Sequence, residues 1–397
     1  MEIGWIDFSR SDREKVLSVI DLLSEDGTLD ELGISPIRNG FSDLFFPGTS
    51  TIQTRAKYFL IVPYALADLS HRPDLNPQTL FIRLDDIERQ CGKILLTKND
   101  DGVIGRIALR SNSWVKRAPS SIYWAGIRNF GIFTRGSMTI SEYFKALNSL
   151  NKHRQVQARA TASKDEEIMP DEPKTENTLN VSFWNLPPYP DNWMEDLAIE
   201  LSPIEADFLK RQIILHQPAS MLAFFLSHNL THITQMKSFS DLLDNSIFTL
   251  FPEQMRQDYQ LAEAFSSFVY GIRIRYNMMI SKRKNDAANE AWDSFLLSIT
   301  EHANLNIKSI FTRLQINNPG LQTFLLSIQQ HMLSRDFSQL DNTIRQREIY
   351  LKGESRAKLN QAGHFPANQW FGEKKLDYRF DYAKRILQDI FQGLEEK

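Results

Sequence analysis

Ser202-Pro203-Ile204-Glu205 opens the stretch SPIEADFLKRQIILH, residues 202–216, and its reading decides the fold class. A hydroxyl cap, a proline at the first helical position and an acid in the first turn together mark a helix start. From there onward the apolar periodicity is almost purely helical. It predicts helices near 203–216, 218–231, 238–244, 252–283, 286–303, 305–316, 319–333, 336–352 and about 376–394. Twenty-six Phe against 17 Gly and 16 Pro suggest helices packed through aromatic anchors. Strand signals are sparse, the clearest being MEIGWIDF at the start and GIFTRGSMTIS around 131–141. The expected class is mainly α.

Working back toward the N-terminus, residues 12–24 place Val16, Val19, Ile20, Leu22 and Leu23 on one helical face before the breaker Asp26-Gly27. Residues 50–70 read as a helix capped by Ser50 or Thr51. Pro63 is expected to kink or divide that helix, because it lacks a donor and crowds the preceding turn. ARATASKDEEIMPDEPKTENT has no aromatic residue and repeats acids and prolines. Such a stretch cannot bury enough surface to offset its ordering, so it reads as a linker that proteases should cut first. SFWNLPPYPDNW, after it, reads as an ordered strap. The expected layout is an N-terminal helical domain with a winged-helix-like module at 1–151, an acidic flexible linker at 152–182 and a larger helical domain at 183–397.

Composition excludes several classes. The 397 residues carry 46 Lys+Arg against 49 Asp+Glu, a net −3. The single Cys91 rules out an internal disulfide and a Cys-rich zinc cage, and fits a reducing cytosol. The opening MEIGWIDFSRSDREK turns charged by residue 7, unlike a signal peptide, and no apolar run reaches the ~18 residues of a membrane span. A cytoplasmic location and no membrane partner are therefore expected.

The near-zero total hides segregation. Residues 102–159 hold ten Lys/Arg and one acid, Glu142, whereas residues 163–207 hold twelve acids and two lysines. The basic region is interleaved with Trp114, Tyr123, Trp124, Phe130 and Phe133, so cations there could neutralise phosphates while rings stack or pack. Helices at about 77–98, 103–112 and 119–130, then a hairpin with Arg135-Gly136 at its tip, would form a winged helix-turn-helix. Arg110, Lys116, Arg117, Arg128 and Arg135 would meet nucleic acid, while Trp124 and Ile127 would lie in the core. The competing reading is a solvated basic face that complements the acidic linker or a protein partner.

Other constellations are weaker. GIRIRYNMMISKRKND carries Arg273, Arg275, Lys282, Arg283 and Lys284, but 275, 282 and 283 do not share one face of a straight helix. A solvated helix end suits them, since cations favour the carbonyl-terminal dipole. His228 and His232 have the i,i+4 spacing of metal ligands, without a third ligand nearby. Asp85, Asp86 and Glu88 could hold Mg²⁺ in a nuclease of unrecognised type, yet match an exposed helix face equally well. PDEPK, 170–174, lies in the linker, where nothing preorganises a metal. GxGxxG, GxxxxGK[ST] and GxSxG are all missing, so no cofactor and no metal are expected, and Cys91 has no identifiable histidine partner.

The blocks IGWIDFSRSDREKVLSVIDLLSEDGTLDELGI, IRNGFSDLFFPGTSTIQTRAKYFLIVPY, IYWAGIRNFGIF, LSPIEADFLKRQI, PASMLAFFL, ESRAKL and LDYRFDYAKRILQDI span nearly the whole chain. They resemble a bacterial family of unknown function whose members begin WIDFS and carry an FPGTSTIQTRA block. The resemblance implies no assigned activity. It implies a setting in anti-phage defence islands, with a helicase or nuclease encoded nearby as a partner. Physically, Phe46-Pro47-Gly48 turns the chain toward a helix start bearing Thr49, Ser50, Thr51, Arg55 and Lys57, which could hold an anion. Alternatively Thr49 or Ser50 merely caps the helix and Arg55 pairs with an acid such as Asp43. The leading expectation is a non-catalytic component of a defence system that binds nucleic acid or a partner enzyme. The others are the metal-dependent nuclease and a pure protein scaffold.

Overall fold

The computed structural model describes residues 30–72, 76–99, 101–162, 182–243 and 246–395. The fragment MEIGWIDF, the helix expected at 12–24 and most of the acidic linker, 163–181, lie outside the described residues. The protein is mainly α. The helices are α1 (Ser35–Phe45), α2 (Tyr58–Ser70), α3 (Pro77–Lys98), α4 (Arg106–Arg110), α5 (Pro119–Asn129) and α6 (Ile140–Ala162). Then come α7 (Pro203–His216), α8 (Met221–Ser227), α9 (Ser246–Leu250), α10 (Glu253–Ile280) and α11 (Asp286–Leu297). The last are α12 (Ile299–Ala303), α13 (Ile307–Arg313), α14 (Pro319–Leu333), α15 (Phe337–Lys352) and α16 (Phe380–Glu395). Among the described residues, no helix is long and apolar enough to cross a membrane.

The chain divides into two compact units, Met1–Phe41 with Leu243–Tyr378, and Ser42–Leu242 with Arg379–Lys397. These divisions do not run at 152–182; α6 enters that range and continues to Ala162.

The first unit is built around α10, with α11, α12, α15 and the 3-10 turn Lys358–Gln361 packed against it. The basic run at the end of α10 is not simply a solvated helix end. Arg273 and Arg275 are buried. The Arg273 guanidinium donates to the Glu373 carbonyl at 2.7 Å. Glu348, fully buried, accepts from the Tyr276 hydroxyl at 2.7 Å and from the amides of Lys358 and Leu359, both at 3.0 Å. Beyond α10 the chain enters the left-handed region at Lys282 (φ 49°) and Arg283 (φ 61°). A residue with a Cβ gives up about 1–2 kcal/mol there.

The second unit is built around α2, buried from Tyr58 to Ala67, the pattern of a helix enclosed on all sides. Helices α3 and α5 pack on it, while α16 packs on α7 and α8. The helix expected from Ser50 starts instead at Tyr58. Residues 48–53 are closed into a loop, because Gln53 donates to the Gly48 carbonyl at 3.0 Å and accepts from the Ser50 amide at 3.1 Å. Pro63 does not divide α2; with the late start it falls in the second turn. The strap after residue 182 is ordered by its aromatic polar tips. Trp184 donates to the Tyr143 hydroxyl at 2.9 Å, and Trp193 donates to Asp68 at 2.8 Å. Tyr189 stacks on Tyr64, centroids 4.1 Å apart.

The hairpin expected at 131–141 does not form. Phe133 makes one antiparallel bridge, to Trp184. Thr139 and Glu142 instead make a reciprocal cap: the Thr139 amide donates to the Glu142 carboxylate at 2.7 Å, and the Glu142 amide donates to the Thr139 hydroxyl at 3.2 Å. That box starts α6 and takes the residues a second wing strand would need.

Candidate functional site

The FPGTSTIQTRA block uses its cations internally within the second unit. Arg55 is 7% exposed, and its Nε donates to both oxygens of Asp389, at 2.9 and 3.1 Å. Asp389 also accepts from the Ala56 amide at 2.7 Å. Lys57 meets Glu205 at 2.6 Å, and Tyr64 donates to the same carboxylate at 3.2 Å. The Thr49 hydroxyl donates to the Phe46 carbonyl at 2.6 Å, and Thr51 is exposed. Buried Ser50 Oγ has no hydrogen-bond partner among the described residues. Asp43, the acid considered for Arg55, is held by Arg379 at 2.6 Å.

Arg55 does line a cavity of about 380 Å³, but its other charged walls are Glu200, Asp389 and Glu395. Three carboxylates against one guanidinium make that space electronegative. An anion seated at Arg55 or Lys57 would have to displace Asp389 or Glu205, stranding a buried carboxylate.

The second set of expected site residues is disposed differently. Lys116 and Arg117 are exposed just ahead of α5, and Arg110 is exposed at the end of α4. Arg128, at the other end of α5, is half-buried and donates to the Ser137 carbonyl at 3.0 Å. Arg135 is exposed, with its guanidinium 5.9 Å from the Phe183 ring centroid. Lys116, Arg128, Arg135, Lys145 and Lys152 make no salt bridge with another described residue. The side chains of Arg154 and Arg159 lie outside the described residues. Eleven residues of α5 span roughly 16 Å at 1.5 Å per residue, so cations flank both ends of one helix.

Helix α5 is itself largely core. Ile122, Tyr123, Trp124, Gly126 and Ile127 are buried, as expected for Trp124 and Ile127. Its exposed positions, Ser121, Ala125 and Asn129, follow an i,i+4 stripe of short side chains. Of these only Asn129, at the end of the helix, is of a type that reads base edges, and no exposed Arg or Gln stands on the stripe.

The carboxylates considered for Mg²⁺ do not converge. Asp85 accepts from the Trp114 indole at 2.6 Å, and Asp86 is exposed. Glu88 turns into the core, accepting from the Ser120 amide at 2.5 Å and from its hydroxyl at 3.2 Å. Burial pushes the Glu88 carboxyl up to about 8, against the opposing pull of the Ser120 bonds. No group of three or more His, Cys, Asp or Glu among the described residues is placed to hold a metal. Helix α8 ends at Ser227, so His228 and His232 do not share a helical face. His228 stacks on Phe224 at 4.1 Å. Cys91 is buried, and burial pushes its thiol up to about 12, far from a reactive thiolate.

The model of a family of unknown function, DUF6361, matches residues 1–318. The chain belongs to this family. No curated protein and no solved structure matched it. The matched range includes the FPGTSTIQTRA block, the basic region and α10. The DUF6361 match thus takes in all of the expected site residues, and α14 to α16 lie beyond it.

The signal that sequence reading missed is in the first unit. Residues 275 and 283 looked divergent on a straight helix. The left-handed turn after α10 brings Arg275, Lys282 and Arg283 around one cavity, with Asp341 and Arg345 opposite.

Proposed function

We propose that this protein is a non-catalytic, nucleic-acid-binding component of a bacterial anti-phage defence system, gripping backbone phosphates with cations at the two ends of α5. The observation that carries the reading is a contrast within the second unit. Arg55, Lys57, Arg379 and Arg385 are each tied to a carboxylate. Lys116, Arg128, Arg135, Lys145 and Lys152 form no salt bridge with a described residue. Cations left without carboxylates on a surface are the groups that neutralise phosphates and release counterions.

The short side chains of the α5 stripe favour binding without strong sequence preference. The order α3, α4, α5 is the helix order expected of a helix-turn-helix, and the loop carrying Arg135 lies where the expected wing hairpin does not form. The defence setting and a neighbouring helicase or nuclease partner rest on the family resemblance.

Fluorescence anisotropy with duplexes of different sequence, over a salt series, tests the proposal. Arg128→Glu with Arg135→Glu should weaken every duplex about equally and flatten the salt slope by about 0.9 for each phosphate no longer neutralised. Unchanged affinity would assign the basic face to a protein partner or to solvent alone. Metal-dependent cleavage abolished by Asp85→Ala with Asp86→Ala would overturn the non-catalytic part.

A further inference from the structure

The first unit holds a cavity of about 340 Å³ at the C-terminal end of α10. Arg275, Met278 and Met279 line one side, at the i, i+3, i+4 spacing of a single helical face, and Lys282 joins them from the turn beyond the helix. Asp341 and Arg345, one turn apart on α15, line the other. Arg283 joins them through the helix end: the Lys282 amide donates to the Met279 carbonyl at 3.1 Å, and the Arg283 amide donates to the Met278 carbonyl at 2.7 Å. This is the paired bond of a Schellman turn, whose left-handed position usually falls to glycine. Here Lys282 occupies it, and Arg283 after it is left-handed as well.

Arg275 is the fixed wall of the cavity. It is 3% exposed, bonds both oxygens of Asp341 at 2.8 and 2.5 Å, and lies 4.8 Å from the Trp292 ring centroid and 5.6 Å from that of Phe337. Its charge is therefore balanced. Lys282, Arg283 and Arg345 remain, and none makes a salt bridge with a described residue. Arg345 spends one nitrogen on the Leu359 carbonyl at 3.3 Å. The Lys282 stem lies against Gly363, where a Cβ would come within 2.9 Å of Cε. Capping the helix dipole accounts for about half a unit of positive charge; three cations exceed that.

We propose that this cavity binds a phosphate monoester or diphosphate group, held by Lys282, Arg283 and Arg345, with the uncharged part of the ligand on Met278 and Met279. Two guanidinium forks and an ammonium match a multiply charged tetrahedral anion, whereas a single carboxylate would fill one fork. The volume lies within the range of small-molecule pockets and exceeds a bare phosphate. The site belongs to the first unit and does not depend on the nucleic-acid reading of the second.

Isothermal titration of the full-length chain with inorganic pyrophosphate tests it. Saturable binding is expected, weakened about tenfold or more in Arg283→Gln with Arg345→Gln. It should be unchanged in Arg128→Glu with Arg135→Glu, which separates this site from the proposed duplex surface. Lys282→Gly guards against misfolding as the cause. It relieves the left-handed position, so the melting temperature should hold or rise while pyrophosphate binding weakens; a purely structural lysine would leave binding alone. Competition by adenosine monophosphate would place the phosphate on a small metabolite. Competition by a 5′-phosphorylated oligonucleotide, but not by its 5′-hydroxyl twin, would place it on a strand end. Absence of saturable pyrophosphate binding, or equal binding in the double variant, overturns the site.

Discussion

Arg55 and Asp389 are 334 residues apart in sequence, and the Arg55 Nε donates to both carboxylate oxygens. The aspartate also accepts the Ala56 amide, so one acid near the C-terminus fixes both the side chain and the backbone of the FPGTSTIQTRA block. Removing one partner leaves an uncompensated buried charge. Asp389→Leu should cost about 3–5 kcal/mol. Arg55→Met with Asp389→Leu should cost less than the two single changes combined. Urea unfolding of the four proteins checks this; additive losses would show that the pair is not coupled.

Glu205 serves both the helix and the core. Its carboxylate closes the capping box with Ser202 and also holds Lys57 at 2.6 Å. Ser202→Ala removes only the cap and should cost about 1 kcal/mol. Glu205→Ala also strands buried Lys57 and should cost about 3 kcal/mol or more. Equal losses in denaturation would reduce Glu205 to a cap.

Glu88 gives the fold a pH dependence of definite sign. Its folded value, about 8, lies above the ordinary 4.5, so folding prefers the protonated carboxyl. That contribution is whole below about 4.5 and is lost as pH rises toward about 8. Glu88→Gln keeps an acceptor for the Ser120 amide without a charge. It should flatten the decline and raise stability at pH 8 by about 2–4 kcal/mol. Parallel stability–pH curves for the two proteins would contradict this.

Gly126 allows α5 to lie close to the loop at Gly48. A Cβ at 126 would run into the Gly48 carbonyl oxygen and the Phe59 ring. Gly126→Ala should therefore destabilise by about 1–3 kcal/mol through overpacking, although alanine is the better helix former. Ala125→Ser, on the exposed stripe, should change little. Thermal melts of both variants decide it.

The sequence by itself determined the class of fold and most helices. Signals such as Ser202-Pro203-Ile204-Glu205 act within one turn, and apolar periodicity reports which face a helix buries. The 28-residue α10, expected at 252–283, and α14, expected at 319–333, followed from that local logic. The segregation of exposed cations around α5 was also legible, because charge composition needs no partner to be read.

Only the tertiary structure decided which polar groups are already engaged. Arg55 and Lys57 looked free for an anion because Asp389 and Glu205 are remote in sequence. The 131–141 segment looked like a hairpin because its alternation was read without Trp184, whose neighbours Phe183 and Asn185 exchange backbone hydrogen bonds with Thr134 and Ile132 at 2.9 Å. Arg283 looked misplaced until the left-handed turn at Lys282 and Arg283 brought it to the cavity lined by Arg275. In each case the deciding partner or dihedral lies outside the window that local periodicity samples. Long-range pairing and positive φ are fixed by the packed chain, not by propensity.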